Sequence, residues 1–132
     1  MSKIPNLTIS PEKVFFIVRK SRQSESAAGG PETGLDSDDD IDADRGKRTD
    51  RSELFGFIRD LNLDEQIDLV TLTWLGRGDG DLDSWRDLHA EARRAHNNRT
   101  ASYLIGTPML ADYLEEAMSQ FGKSFEEFED HI

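Results

Sequence analysis

Apolar residues recur at intervals of three and four through most of this chain, and this spacing places them on one face of a helix. The pattern is clearest just before Gly122, at Leu110, Tyr113, Leu114, Ala117, Met118 and Phe121. Two earlier segments show the same period, at Leu54, Phe57, Ile58 and Leu61 and at Trp85, Leu88, His89, Ala92, Ala95 and His96. Between them, residues 67–75 are apolar on nearly every side, as in a central helix. The pattern predicts an all-α fold, a compact bundle of about six helices, in a single domain of residues 1–132.

The first helix is predicted to begin at Ser10, because serine is a good N-cap and Pro11 suits the first helical position. Before it, residues 1–9 have the extended character that Pro5 and alternating apolar residues favour. The VFFIV run at residues 14–18 is also compatible with a β-strand. A helix is preferred, because the Ser-Pro-Glu start is a specific helix signal and no strand-like partner follows.

Residues 24–50 form a segment rich in Ser, Gly and Asp with almost no large apolar side chain. Such a sequence cannot bury enough surface to offset the entropy lost on ordering. We therefore expect a long acidic disordered loop, inserted after the first helix, in which only Leu35 and Ile41 are candidate anchors. The helical period returns after Ser52.

Local signals set the expected ends of the later helices. Asn62 or Asp64 is predicted to cap the central helix, and Gly76 to end it. The Thr-Pro pair at residues 107–108 is expected to start the last long helix. Residues 124–127, with the sequence Ser-Phe-Glu-Glu, have the spacing of a capping box and predict a final helical turn.

Charge and cysteine content exclude several functions. A formal charge of −11 at pH 7 repels phosphate backbones and disfavours nucleic-acid binding. Without cysteine the chain has no disulfide, no thiolate metal site and no Cys nucleophile, which fits a reducing cytoplasm. No window approaches the ~20 apolar residues of a membrane helix, and no secretory signal precedes the first helix. We expect a cytoplasmic protein with no membrane contact and no cofactor.

Cationic and amide side chains concentrate around the turn after the fourth predicted helix. The candidate ligand-binding residues are Arg93, Arg94, His96, Asn97 and Arg99, with Arg77 nearby after the central helix. Guanidinium groups clustered in an acidic protein form either an anion site or internal salt bridges. Glu91 lies three residues before Arg94, and Asp79, Asp81 and Asp83 supply further carboxylates. Salt bridges are the preferred interpretation, and an anion site is the alternative.

The two histidines of this segment, His89 and His96, are not expected to bind a metal. They lie two helical turns apart, ~10 Å by the helical rise, which is too far to chelate one ion. Half-buried imidazoles bonded to a carbonyl or a carboxylate are the simpler interpretation. The Asp residues at 79–83 lack the glycine and the bidentate Glu of a calcium loop. No metal site is therefore predicted.

The sequence contains no complete catalytic arrangement. Thr100 and Ser102 lie near His96, but no strand-turn-helix elbow presents a serine. A phosphate-loop lysine motif and a dinucleotide glycine fingerprint are also missing. Trp74 and Trp85 flank a Gly-rich turn, and we expect both in the core rather than in a pocket.

Three segments carry a resemblance to a known family: residues 7–22 (LTISPEKVFFIVRKSR), residues 63–85 (LDEQIDLVTLTWLGRGDGDLDSW) and residues 93–116 (RRAHNNRTASYLIGTPMLADYLEE). The chain resembles a bacterial family known as domain of unknown function 3775. This resemblance extends over most of the chain outside residues 24–50. It implies the same helical order and assigns no activity, cofactor or catalytic residue.

The leading functional hypothesis is a non-enzymatic protein-interaction or regulatory module with an unknown protein partner. The charged segment at residues 24–50 and the Arg-bearing turn offer two places for such a partner. The alternative is a small-anion or nucleotide binding protein, or an enzyme, that uses the Arg/His cluster at residues 93–99. A homo-oligomeric structural protein is a third class, and the oligomeric state stays open.

Overall fold

The computed structural model describes residues 4–27, 41–124 and 126, with the backbone alone for residues 25–27 and 41–50. Within these ranges six α-helices follow one another: α1 (Pro11–Ala27), α2 (Ile41–Asp60), α3 (Leu63–Arg77), α4 (Trp85–Ala95), α5 (Thr100–Ile105) and α6 (Leu110–Gln120). A short 3₁₀ turn, Leu82–Ser84, precedes α4. No β-strand occurs in the described part of the chain. The predicted all-α fold is confirmed, including the helix preferred over a strand at residues 14–18.

Helix α3 lies at the centre of the bundle, as its nearly continuous apolar sequence predicts. It packs against α4, α5 and α6, while α1 packs against α2 and α6. Ile67, Leu69 and Leu72 of α3 are completely buried. Burial of such side chains, worth about 1.5–3 kcal/mol each, stabilises the packed helices more than their intrinsic helical propensity does. The central helix therefore packs mainly against three others, and two of these line the pocket described below.

Gly76 of α3 lies directly against α6. A Cβ atom at this position would lie 1.8 Å from the carbonyl oxygen of Tyr113. The prediction that Gly76 ends the helix is wrong. Helix α3 continues to Arg77 and ends at Gly78, whose φ of 98° is in the left-handed region. Gly76 thus allows α3 to pack closely against α6, and Gly78 ends α3 in the left-handed conformation that glycine adopts readily.

The starts of α3 and α6 follow different local rules. Asn62, the first of the two predicted caps, accepts a hydrogen bond from the Glu65 N–H at 2.8 Å, and the Glu65 carboxylate accepts from the Asn62 N–H at 3.0 Å. Helix α6 begins at Leu110 and not at residues 107–108, so that prediction is wrong. The backbone of Met109 has a φ of 63°, and a left-handed residue cannot belong to a right-handed helix.

The helices on either side of the acidic segment are longer than predicted. Helix α1 continues to Ala27 and α2 begins at Ile41, so both ends of residues 24–50 are helical. The sequence at the end of α1 contains Gln, Glu and Ala, which are good helix formers. The disorder predicted for residues 28–40 lies outside the described residues, as does Glu127 of the predicted capping box.

One buried carboxylate fixes the segment that leads into α1. Asp68 of α3 is 2 % exposed, and its Oδ2 accepts hydrogen bonds from the backbone N–H groups of Thr8 and Ile9. Its Oδ1 lies 3.0 Å from Nε2 of His89 on α4. A buried carboxylate is tolerated when such partners replace its hydration shell. Asp68 therefore joins the N-terminal segment, α3 and α4.

Ion pairs join the outer faces of the helices. Arg22 of α1 bonds to Glu115 at 2.8 Å and to Asp112 at 2.7 Å, both on α6, and the bond to Glu115 is the main cause of the raised pKa of Arg22. Lys13 of α1 bonds to Glu65 of α3 at 2.6 Å. Partly exposed pairs of this kind contribute about 0.2–1 kcal/mol each. None of the helices in the described ranges is both long enough and apolar enough to cross a membrane.

Candidate ligand-binding pocket

A pocket of about 250 Å³ opens between α3, α4 and α5. Its lining residues are Val70 and Trp74 from α3, Ala92 and Ala95 from α4, His96, Asn97 and Arg99 from the turn between α4 and α5, and Thr100 and Tyr103 from α5. Apolar atoms form most of the wall, and the polar groups come mainly from the turn. An apolar wall with a few convergent polar groups is typical of small-molecule sites.

The space exists because α4 presents alanines toward two aromatic side chains. Ala92 and Ala95 lie three residues apart and therefore share one side of α4. Trp74 is half-buried, and its Nε1–H donates to the hydroxyl of Tyr103 at 2.9 Å. This hydrogen bond joins α3 to α5 and fixes two walls of the pocket relative to each other. Small side chains on one helix thus face large aromatic ones on two others.

A braced turn presents Arg99 to the pocket. The side-chain Oδ1 of Asn97 accepts a hydrogen bond from the backbone N–H of Arg99 at 2.8 Å. The backbone carbonyl of Asn97 accepts from the hydroxyl of Thr100 at 2.9 Å. Asparagine commonly stabilises turns through bonds of this kind. The backbone that carries Arg99 is therefore held from both sides.

Arg99 differs from the other cations of this region. Its side chain is exposed, and it forms no ion pair or hydrogen bond with any residue that the structure describes. A guanidinium group offers five N–H donors in a planar fork that fits a carboxylate or a phosphate. In a chain with a formal charge of −11, this pocket-lining cation is available to an external anion.

His96 follows the last residue of α4 and is half-buried at the pocket wall. Its Nε2 lies 2.7 Å from Oε1 of Gln66, which belongs to α3. The partner is a neutral amide and not a carboxylate. The imidazole is therefore positioned without being paired to a charge, which differs from the carboxylate-bonded histidines of general-base catalysis.

The structure divides the Arg/His cluster predicted from the sequence into two groups. Three of its cations end on carboxylates: Arg93 on Asp64 (3.2 Å), Arg94 on Glu91 (2.7 Å) and Arg77 on Asp79 (2.6 Å). The other three residues, His96, Asn97 and Arg99, line the pocket together. The salt-bridge interpretation thus describes Arg93, Arg94 and Arg77, and an anion site at the other three residues stays a prediction.

Arg77 lies close to the pocket without lining it. Its Nε and Nη2 atoms both donate to one carboxylate oxygen of Asp79, at 3.0 and 2.6 Å. This bond is the main cause of the raised pKa of Arg77; burial opposes the rise, and the Tyr103 hydroxyl adds to it. The charge of Arg77 is therefore neutralised mainly by Asp79.

Sequence reasoning missed the apolar half of the pocket. Trp74 was expected in the core, and instead it is half-buried at the pocket wall, whereas Trp85 is 7 % exposed and does belong to the core. The pair Ala92 and Ala95 carried a usable signal, because two alanines on the apolar stripe of a helix leave room beside a large neighbour. The identity of that neighbour depends on how α3 and α4 pack.

A second, shallower depression of about 330 Å³ lies beside Asp68 and His89. Its other lining residues are Pro5, Asn6, Thr8, Trp85 and Arg86. The Asp68 carboxylate is already bonded to two backbone N–H groups and to His89. These bonds give the Asp68–His89 pair a structural role, which is to join the N-terminal segment, α3 and α4. Among the described residues no group of three potential ligands for a metal ion occurs.

Comparison with known proteins identifies a family. The family model described as Protein of unknown function (DUF3775) matches residues 51–123, a range that contains α3–α6 and every residue lining the pocket. Residues 7–22, which carry part of the resemblance noted in the sequence, lie outside this range. No curated protein and no solved structure matches the chain. Since the matched residues make up more than half of the chain, the protein belongs to the family of unknown function DUF3775.

Proposed function

We propose that this domain is a non-enzymatic binding module whose pocket takes a small organic anion. The ligand has a compact apolar body, of the size of one aromatic ring, and one carboxylate or phosphate group. The observation that carries the proposal is the position of Arg99, a cation without a partner among the described residues, at the edge of an apolar pocket. An anion bound there gains charge-assisted hydrogen bonds, while its apolar body leaves water.

The volume of the pocket limits the size of the ligand. An apolar cavity of about 150 Å³ accommodates benzene, and the pocket here measures about 250 Å³. The additional space holds one or two polar substituents. A nucleotide, with a base, a sugar and phosphate, exceeds this volume, so the proposal favours a single-ring acid over a nucleotide.

Two features of the lining support binding rather than catalysis. The hydroxyl of Thr100 donates to the carbonyl of Asn97 and has no base as a partner among the described residues. His96 bonds to the amide of Gln66, and no carboxylate in the described part of the chain orients it as a general base. The proposal rests on the pocket and not on the acidic segment, because the structure describes every lining residue and none of residues 28–40.

A cytoplasmic location is part of this proposal. The chain contains no cysteine, as is common in a reducing compartment. Fractionation of cells that express the full chain tests the location directly, and recovery in the exported fraction would contradict it.

The binding of two ring compounds of nearly equal shape tests the proposed function. Benzoate carries the anionic group, and benzamide is its neutral counterpart. Titration of the ¹⁵N-labelled protein with each compound should shift amide signals of the α4–α5 turn, and benzoate should bind more tightly. Equal affinity for both, or shifts confined to residues remote from the turn, would overturn the proposal.

A matched pair of variants locates the binding in the pocket. Ala95→Leu adds three carbon atoms at an exposed position that lines the pocket, and it should weaken benzoate binding. Ala90→Leu makes the same change on the exposed surface of α4, away from the pocket, and should leave binding unchanged. Identical affinities of the two variants would place the ligand elsewhere.

A further inference from the structure

The side-chain amide of Gln66 has a fixed orientation. Its Nε2 lies 3.0 Å from the carbonyl oxygen of Ile58, 3.1 Å from that of Arg59 and 3.2 Å from that of Leu61. Carbonyl oxygens only accept hydrogen bonds, so the atom that faces all three must be the NH₂ group. An amide turned the other way would place its oxygen against three others. The Oε1 atom of Gln66 therefore faces His96.

This orientation determines the tautomer of His96. The amide oxygen only accepts hydrogen bonds, and it lies 2.7 Å from Nε2 of His96. Nε2 must therefore carry a proton, and in the neutral imidazole the other ring nitrogen, Nδ1, is an acceptor. Nδ1 makes no hydrogen bond with a residue in the described part of the chain. The carbonyl groups at the end of α2 orient Gln66, and Gln66 in turn leaves Nδ1 of His96 as a hydrogen-bond acceptor for a ligand.

His96 and Arg99 both line the pocket, and their side chains form opposite kinds of hydrogen bond. The two residues lie three positions apart in the turn. The guanidinium group of Arg99 only donates, whereas Nδ1 of a neutral His96 only accepts. An anionic group suits the first and is repelled by the lone pair of the second. A ligand that satisfies both must combine an anion with a separate hydrogen-bond donor.

We propose that His96 is a specificity-determining residue that selects anions carrying a hydroxyl or amino group on the ring. This inference rests on the proposed function and narrows its ligand to hydroxy- or amino-substituted aromatic acids. The anionic group bonds to Arg99, and the hydroxyl or amino hydrogen bonds to Nδ1 of His96. A ligand without that hydrogen leaves Nδ1 without a protein or ligand partner in the bound state, which costs affinity.

The tautomer of His96 is tested first, in the unliganded full-length protein. Long-range ¹H–¹⁵N correlation spectra at pH 7.5 distinguish protonated from unprotonated ring nitrogens. The expected result for His96 is a protonated Nε2 and an unprotonated Nδ1. A spectrum with the proton on Nδ1, or with protons on both nitrogens at this pH, would overturn the inference. This measurement needs no ligand and no variant.

Ligand selection is tested by comparing benzoate with its 2-, 3- and 4-hydroxy derivatives and with its 2-, 3- and 4-amino derivatives. At least one derivative should bind roughly three- to tenfold more tightly than benzoate, the gain expected for one neutral hydrogen bond of about 0.5–1.5 kcal/mol. In His96→Phe, which keeps a ring of similar size, this advantage should disappear while benzoate still binds. Retention of the advantage in His96→Phe would overturn the assignment to His96.

The two proposals fail in distinguishable ways. If benzoate binds at the turn and none of its hydroxy or amino derivatives binds more tightly, the inference about His96 is wrong and the proposed function stands. If no compound of this series binds, both are wrong. The spectrum of the unliganded protein gives a further, independent result for the tautomer.

Discussion

Trp74 donates a hydrogen bond to the hydroxyl of Tyr103 at 2.9 Å, although 29 residues separate them in the chain. Trp74 belongs to α3 and Tyr103 to α5, and both line the pocket. A buried or half-buried indole normally requires a partner for its N–H group. Here that partner lies on another helix that lines the pocket, so one hydrogen bond satisfies the indole and links α3 to α5 at the pocket wall.

Tyr103→Phe should lower the free energy of unfolding by about 0.5–1.5 kcal/mol, because the indole N–H loses its acceptor. The emission of Trp74 should change as well, and benzoate should bind more weakly. Chemical denaturation and tryptophan fluorescence measure these effects. Tyr113→Phe is the matched control, since its hydroxyl makes no hydrogen bond with a described residue. Equal effects of the two substitutions would contradict the role assigned to Tyr103.

Gly76→Ala should destabilise the protein by about 3 kcal/mol or more, because the new methyl group would overlap the backbone of α6. The overlap involves a carbonyl oxygen that cannot rotate away. Gly56→Ala provides the control, since a Cβ at Gly56 in α2 meets no atom of the described residues within 4 Å. There the substitution should stabilise the helix by about 0.5–1 kcal/mol. Thermal unfolding distinguishes the two, and a neutral Gly76→Ala would show that α3 and α6 lie farther apart.

Asp68→Asn should destabilise the fold by about 2–3 kcal/mol, because the amide can replace only part of the bonding that the buried carboxylate provides. The amide protons of Thr8 and Ile9 should then exchange faster with solvent. Asp87→Asn, at an exposed position of α4, should leave both quantities unchanged. Hydrogen exchange measured by NMR reports on the two amides directly. If the amide protons of Thr8 and Ile9 stay equally protected in Asp68→Asn, the Asp68 carboxylate does not hold the N-terminal segment in place.

Glu65 should make the protein sensitive to acid. Two hydrogen bonds lower the pKa of Glu65 below its ordinary value of 4.5. The bond to Lys13 has the larger effect, and the bond to the Asn62 N–H has the next largest. A carboxylate with a lowered pKa stabilises the fold above its unfolded-state pKa, and this contribution is lost as the pH falls through the folded-state value. Glu65→Gln should therefore be less stable than the natural protein at pH 7, by up to about 1 kcal/mol, because glutamine keeps an acceptor for the Asn62 N–H but loses the ion pair with Lys13.

The difference between the natural protein and Glu65→Gln should narrow as the pH falls below 4.5. Denaturation curves at pH 7, 5 and 3 measure it. Glu91→Gln, which breaks an exposed pair with Arg94, should show a small difference at every pH. A difference for Glu65→Gln that stays constant down to pH 3 would rule out titration of this carboxylate as the cause.

The helices and the central position of α3 could be predicted from the sequence, because apolar spacing is a local property that tertiary packing preserves. The roles of individual glycines could not. Gly76 and Gly78 both lie near the end of the same apolar pattern. They differ only in the folded structure, where Gly76 lies against the backbone of Tyr113 and Gly78 has a positive φ. Packing between distant segments decides such cases.

The candidate pocket could be predicted only in its polar half. His96, Asn97 and Arg99 are adjacent in the sequence, so their concentration is visible without a fold. Which cation remains unpaired depends on carboxylates from elsewhere: Asp64, which binds Arg93, lies 29 residues earlier in the chain. The aromatic walls are similarly contributed by two helices, and their separation depends on the packing of α3 against α5.

The affinity of benzoate for Arg99→Ala tests the central claim most directly. Arg94→Ala is the control, because it removes the same charge from a residue that is paired with Glu91 and does not line the pocket. Loss of charge-assisted hydrogen bonds worth about 1.5–3 kcal/mol weakens binding roughly 10- to 100-fold. The account predicts this loss for Arg99→Ala and an unchanged affinity for Arg94→Ala in NMR titrations. Equal affinities of both variants and the natural protein would contradict it.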